Sequence, residues 1–149
     1  MVDTTYIKMV VEPWVRSWLS IQFPGHVFRP QMMPLVGITK NKPGYHEFDA
    51  VSEDNSIISA IKGHSFKTSG GNLPQAKFAS LYQELYFLSL VKAKRRLLVL
   101  TNKEMYTDFA TRSKGKVADD VDLIYCQLPD DLNSGMIKMG RKASEEMSR

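Results

Sequence analysis

The centre of the sequence contains two strand-like segments joined by a short polar turn. Residues 45–52 alternate between polar and apolar side chains, and residues 57–63 are rich in β-branched side chains, as strands are. Residues 53–56 between them are polar and few enough to close a hairpin. The chain is therefore predicted to contain two neighbouring antiparallel strands, which places a β-sheet at the centre of the fold.

Alternate side chains of a strand point to opposite faces of its sheet. In the first strand this predicts one face with Tyr45, Glu47, Asp49 and Val51, and another with His46, Phe48 and Ala50. In the second strand Ile58, Ala60 and Lys62 share a face, and Lys62 is the only charged residue of an otherwise apolar segment. A lone lysine in such a strand is uncommon, so it is the first candidate for a functional residue.

Helices and further strands are predicted on both sides of the hairpin. Pro13 suits the first turn of a helix that ends at Pro24 and Gly25, while residues 6–11 fit either an earlier helical turn or an extended lead-in. Residues 26–36 form an extended segment that Pro30 and Pro34 restrict to a sheet edge or a loop. Residues 41–44 form a turn.

The second half of the chain alternates between helix and strand. A helix over residues 75–91 carries an apolar stripe of Phe78, Leu81, Leu85 and Leu88. Residues 97–100 form a strand buried on both faces, Asn102 caps a third helix, and residues 121–128 form the last strand. This order predicts an α/β fold with a mixed sheet flanked by helices, a single domain over residues 1–128 and a polar tail over residues 129–149.

Composition restricts the chemistry further. The chain has 149 residues, 43% of them hydrophobic and 24% charged, which is ordinary for one globular domain. Cys126 is the only cysteine, so neither an intramolecular disulfide nor a cysteine-based zinc site is predicted. Neither a secretory signal nor a membrane-spanning stretch is recognisable, which predicts a cytoplasmic protein without a membrane partner. The net charge of +4 is compatible with a nucleic-acid partner.

The hairpin offers the groups that metal-dependent phosphodiester cleavage requires. Carboxylates can hold Mg²⁺, and a lysine can lie beside the attacking water or the scissile phosphate. In Glu47-Phe48-Asp49, in Ser59 to Lys62, and in the helix and strand that follow, the chain resembles the PD-(D/E)XK, or restriction-endonuclease-like, nuclease superfamily over residues 13–128. The resemblance implies an αβββαβ core and a DNA-cleaving enzyme that uses Mg²⁺ or Mn²⁺, and we expect a homodimer.

The resemblance also assigns roles to residues. Asp49 would be the metal-binding aspartate, Lys62 the catalytic lysine and Glu12 a helix-borne acid at the metal, with Glu47 as a further catalytic and metal-binding candidate. The chain departs from the family at Ala60, where the family places an acid on the third strand. Glu47, Glu12 and Glu84 are candidates to replace it.

Other interpretations remain open from the sequence. Ala60 also fits a catalytically inactive module with the same fold that binds nucleic acid or a protein, and an unrelated small α/β regulator would give Asp49 and Lys62 no role. In that case the two residues would form only a cross-strand ion pair. Lys67, Thr68 and Lys77, around the start of the second helix, are candidates for contacts with nucleic-acid phosphates.

Overall fold

The structure, a computed structural model, describes residues 5–36, 42–63 and 75–135. A π-helical turn over Ile7–Val11 leads directly into helix α1, Glu12–Gln22. The strands are β1 (Phe28–Pro34), β2 (Tyr45–Ser52), β3 (Ile57–Lys62), β4 (Arg95–Leu100) and β5 (Val121–Tyr125), and the other helices are α2 (Gln75–Leu90) and α3 (Lys103–Arg112). No helix in these described ranges is both long and apolar enough to cross a membrane.

The five strands form one mixed sheet in the order in which they occur along the chain. β1, β2 and β3 are antiparallel neighbours, whereas β3, β4 and β5 run parallel. Parallel neighbours need a crossover connection, and α2 and α3 provide the two crossovers. The predicted α/β fold with a mixed sheet flanked by helices is therefore confirmed.

The sheet is packed on both faces, and the last four residues of β4 are buried between the two layers. On one face, Leu97 and Val99 pack in a cluster with the core side of α1. On the other, Leu98 and Leu100 pack against α2 and α3, and the whole predicted stripe of α2 is buried there. Burial on both faces explains why residues 97–100 of β4 are continuously apolar rather than alternating.

The ends of several elements differ from the sequence prediction. Residues 5–11 are helical, which settles the lead-in to α1. The last strand ends at Tyr125 rather than at residue 128, because its neighbour β4 ends at Leu100 and offers little backbone to pair with beyond Cys126. Asn102 caps α3 as predicted, with its side chain accepting a hydrogen bond from the Met105 amide at 2.9 Å. Residues 130–135 are helical.

The strict alternation predicted for β2 is wrong, because the strand contains a β-bulge. Val51 lies opposite Arg29 but Phe48 lies opposite Gln31, so β2 has one more residue than β1 over this stretch. The extra residue falls opposite Pro30, which has no N–H to donate to the ladder. Phe48 and Val51 consequently lie in the same core cluster, three residues apart, and Asp49 lies at the point where the regular pattern breaks.

Candidate functional site

Asp49 lies at the point where β2 separates from β3. The regular pairing of the two strands ends at Ala50 and Ser59, and the Asp49 Oδ2 atom then accepts a hydrogen bond from the Ile61 amide at 2.8 Å. Burial raises the pKa of Asp49, although the Ile61 hydrogen bond opposes the shift, and the charge of Glu84 raises the pKa further. The bulge therefore places a poorly solvated carboxyl beside β3.

Lys62 and Glu84 form the second part of the site. The Lys62 Nζ atom lies 3.4 Å from Glu84 Oε1, and both side chains are largely shielded from solvent, with exposed fractions of 19% and 15%. Glu84 lies among the apolar residues of α2 that face the sheet. Ala60 is fully buried on the face of β3 that α2 covers, so α2 delivers to Lys62 the carboxylate that β3 lacks.

Glu12 and Arg16 add the contribution of α1. The Arg16 Nη1 atom donates a hydrogen bond to the main-chain oxygen of Asp49 at 3.0 Å and lies 3.8 Å from Glu12 Oε1. Burial raises the pKa of Glu12 to about 7, and the negative charge of Asp49 acts in the same direction. Arg16, Lys8 and Lys62 lower it by smaller amounts. Arg16 thus ties α1 to the bulge of β2.

We call Glu12, Asp49, Glu84, Arg16 and Lys62 the carboxylate–lysine cluster. It contains three carboxyl groups and two cations. The charges of Glu84 and Lys62 act on the pKa of Asp49, and the charges of Asp49 and Lys62 act on the pKa of Glu12. Buried carboxylates without enough positive charge favour a bound proton or a cation. Carboxylate oxygens are the ligands that Mg²⁺ and Mn²⁺ prefer, so the residues present fit such an ion.

The carboxylate oxygens of the cluster lie further apart than the ligand atoms of an occupied metal site do. In residues 5–36, 42–63 and 75–135, the only three potential ligands whose atoms all lie within 4.8 Å of one another are those of His26, Glu53 and Asp54. That group lies at the β2–β3 turn, where Asp54 Oδ1 accepts hydrogen bonds from Ser56 and Ser52. These bonds lower the pKa of Asp54 and give this group a structural role in the turn.

The structure brings together some of the predicted residues and leaves others apart. Asp49, Lys62 and Glu12 lie in the cluster. Glu47 is exposed opposite Met32, and within the described parts of the chain it makes neither a hydrogen bond nor an ion pair with the cluster. Lys77 is half-buried near the start of α2, and burial lowers its pKa. The remaining predicted phosphate contacts, Lys67 and Thr68, lie outside the described residues.

The sequence analysis overlooked Arg16, which belongs to the cluster, and His46, which contacts it. Arg16 lies one helical turn after Glu12, and this i,i+4 spacing of opposite charges was the available signal. His46 gave no signal in the sequence. Its Nε2 atom lies 3.4 Å from Glu84 Oε2, a contact across two elements that no local pattern reveals.

Comparison with known proteins identifies no relative of this chain. The chain matches no family model, no curated protein and no solved structure. The resemblance to the PD-(D/E)XK superfamily therefore stays a prediction, and the functional argument depends on the geometry of the carboxylate–lysine cluster.

The raised pKa of Glu12 predicts an unusual dependence of stability on pH. The folded state binds the Glu12 proton more tightly than the unfolded chain does, so this proton stabilises the folded state. Its contribution to the free energy of unfolding is fully present below about pH 4.5. It is lost as the pH rises to about 7. The loss is on the order of 3 kcal/mol at most.

Urea unfolding of the metal-free protein at several pH values tests this expectation. Glu12→Gln should remove most of the decline between pH 4.5 and 7 and should be more stable than wild type at pH 8. Parallel pH profiles of the two proteins over that range would show that Glu12 ionises as easily in the folded state as in the unfolded chain.

Proposed function

We propose that this protein is a metal-dependent nuclease-type domain that hydrolyses phosphodiester bonds in DNA. The observation that carries the proposal is the convergence of Asp49, Glu84 and Lys62 where β2 and β3 separate. Carboxylates beside a shielded lysine supply the groups that such a reaction needs. The order of elements, with three antiparallel strands followed by a helix and a parallel strand, supports the same proposal.

Four residues of the cluster have a role in the proposed reaction. Asp49 and Glu84 would hold Mg²⁺ or Mn²⁺, with Glu12 as a further ligand, and the ion would supply Lewis-acid stabilisation of charge on the phosphate. Lys62 would position the attacking water and offset negative charge that develops on the phosphate oxygens. Water adds its oxygen to phosphorus, the bond to the leaving sugar oxygen breaks, and that oxygen takes a proton.

Positive groups near Lys62 support a polyanionic substrate. The Thr101 amide donates a hydrogen bond to the Lys62 carbonyl at 3.1 Å, so the start of α3 at Lys103 lies at the same edge of the sheet as Lys62. A helix N-terminus attracts phosphate, and the net charge of the chain is +4. Lys77, with Lys67 and Thr68, would add phosphate contacts. A cytoplasmic location and a homodimer belong to the same proposal.

One alternative has its own support. Ala60 replaces the expected acid, and the Lys62 amine forms an ion pair with Glu84 at 3.4 Å. A domain that has lost cleavage but still binds nucleic acid would retain the same fold and the same helix N-terminus near Lys62. A module of this kind would bind DNA in a salt-sensitive manner and without any need for metal.

Incubation with nucleic acids separates the two candidates. Supercoiled plasmid, branched oligonucleotides and single-stranded oligonucleotides are incubated with the protein in Mg²⁺, in Mn²⁺ and in EDTA. The nuclease proposal expects cleavage of at least one substrate with metal and none in EDTA. Folded protein that binds these substrates at low salt but leaves them all intact would replace the nuclease with the binding module.

A further inference from the structure

His46 is held between aromatic rings on the side of β2 that faces α2. Its ring stacks on Phe87 of α2 with a centroid distance of 4.1 Å and an interplanar angle of 12°. Phe48 meets the same ring edge-on at 4.8 Å and 79°. The side chain is 23% exposed. Two ring contacts in different directions restrict the rotation of the imidazole, so its nitrogens point in a defined direction.

The Glu84 carboxylate is contacted from two strands at once. His46 Nε2 on β2 lies 3.4 Å from Glu84 Oε2, and Lys62 Nζ on β3 lies 3.4 Å from Glu84 Oε1. Glutamate has several rotatable bonds, so an unsupported carboxylate on α2 would sample many positions. Contacts at both carboxylate oxygens restrict the Glu84 side chain to one of these positions. A carboxylate oxygen has two lone pairs, so an oxygen that accepts a hydrogen bond can still bind a metal ion.

We propose that His46 is a positioning residue for Glu84, an inference that rests on the proposed metal-dependent function. With its proton on Nε2, the imidazole donates to Glu84 Oε2 and turns the carboxylate towards the space beside Asp49. This contact compensates for the acid that β3 lacks at Ala60, because a carboxylate delivered from a helix needs its orientation fixed by neighbours. Groups that orient metal ligands commonly change metal affinity by about 10- to 100-fold when they are removed.

Two substitutions at His46 separate the hydrogen bond from the ring packing. His46→Phe keeps an aromatic ring for Phe87 and Phe48 but removes the donor. His46→Gln places an amide N–H near the position of Nε2 but removes the ring. His26→Phe is the matched control, because His26 belongs to the acidic group at the β2–β3 turn and has no contact with Glu84 in the described structure.

Binding of Mn²⁺ to the full chain tests the proposal without relying on activity. It is measured as the loss of the electron paramagnetic resonance signal of the free ion. We expect His46→Phe to weaken Mn²⁺ binding about 10-fold. His46→Gln should recover most of the lost affinity, and His26→Phe should bind as wild type does. A purely structural role of the ring would give the opposite order, with phenylalanine tolerated better than glutamine.

The outcomes distinguish this inference from the proposed function. If wild type binds Mn²⁺ and His46→Phe binds it equally well, the positioning role is wrong while the metal site stands. If well-folded wild type binds no Mn²⁺, both the metal site and the positioning role are wrong. If His26→Phe alone abolishes binding, the ion binds at the hairpin turn, which also contradicts both.

Discussion

Lys62→Ala and Asp49→Asn are each expected to lower Mg²⁺-dependent cleavage of plasmid DNA by about 100- to 1000-fold, as loss of one preorganised charge-stabilising group commonly does. Lys62 is largely shielded from solvent and its amine lies 3.4 Å from Glu84 Oε1, a position that an alanine side chain cannot reach. Asparagine at position 49 can still accept the Ile61 hydrogen bond, but it lacks the negative charge that would hold the metal ion. Initial rates at saturating metal measure both losses.

Matched controls exclude non-specific effects of these substitutions. Lys116→Ala removes an exposed lysine after α3, and Asp122→Asn removes a carboxylate whose partner is Arg95 on the neighbouring strand. Both should cleave at the wild-type rate. Circular dichroism checks that every variant is folded. Cleavage that survives in both Lys62→Ala and Asp49→Asn would mean that the activity comes from another site or from a contaminating nuclease.

Glu84→Gln is expected to reduce cleavage by about 100-fold, whereas Glu47→Gln should stay within about twofold of wild type. Both glutamates were candidates to replace the acid that the PD-(D/E)XK family places at position 60. Glu84 lies 3.4 Å from Lys62 and influences the pKa of Asp49, while Glu47 is exposed and apart from these groups. Glutamine has the same size and keeps a hydrogen-bonding oxygen, so the comparison isolates the charge.

The dependence of the cleavage rates on Mg²⁺ concentration gives a second comparison of Glu84→Gln with Glu47→Gln. Glu84→Gln should need a higher Mg²⁺ concentration for half-maximal rate, and Glu47→Gln should need the wild-type concentration. The reverse result, with Glu47→Gln inactive and Glu84→Gln active, would restore the assignment based on the sequence alone. It would also show that the Lys62–Glu84 contact is only an ion pair.

Local patterns were sufficient to predict most of the fold. The β-branched residues of 57–63, the apolar run of residues 97–100 and the cap at Asn102 each report burial or hydrogen bonding within a few residues. Such signals determine the type of each element. Combined with the order of the elements along the chain, they also predict a mixed sheet flanked by helices.

The parts of the site that escaped prediction depend on contacts between distant segments. The bulge that reorients Asp49 arises because β2 meets Pro30 on β1, so its register is a property of the strand pair and not of β2 alone. Glu47 and Glu12 were preferred to Glu84 as the replacing acid, because the rotation of α2 over the sheet decides which of its residues reaches Lys62 and no local pattern reports it. The contacts of Arg16 and His46 likewise depend on helix–sheet packing.

The carboxylate–lysine cluster also has a cost for the folded protein. Burial raises the pKa of Asp49 and of Glu12, which means that their charged forms are destabilised in the metal-free fold. A bound divalent cation would remove this penalty, so metal binding and folding should stabilise each other. A purely structural ion pair would not need three carboxyl groups around two cations.

Location of a bound Mn²⁺ ion by anomalous scattering tests the central claim most directly. Crystals of the full chain grown with MnCl₂ and measured near the manganese absorption edge would show where the ion binds. The account predicts a peak beside Asp49 and Glu84. A peak only at His26, Glu53 and Asp54, or full-length crystals in millimolar Mn²⁺ with no peak near Asp49, would contradict the proposal that this cluster is a metal-dependent nuclease site.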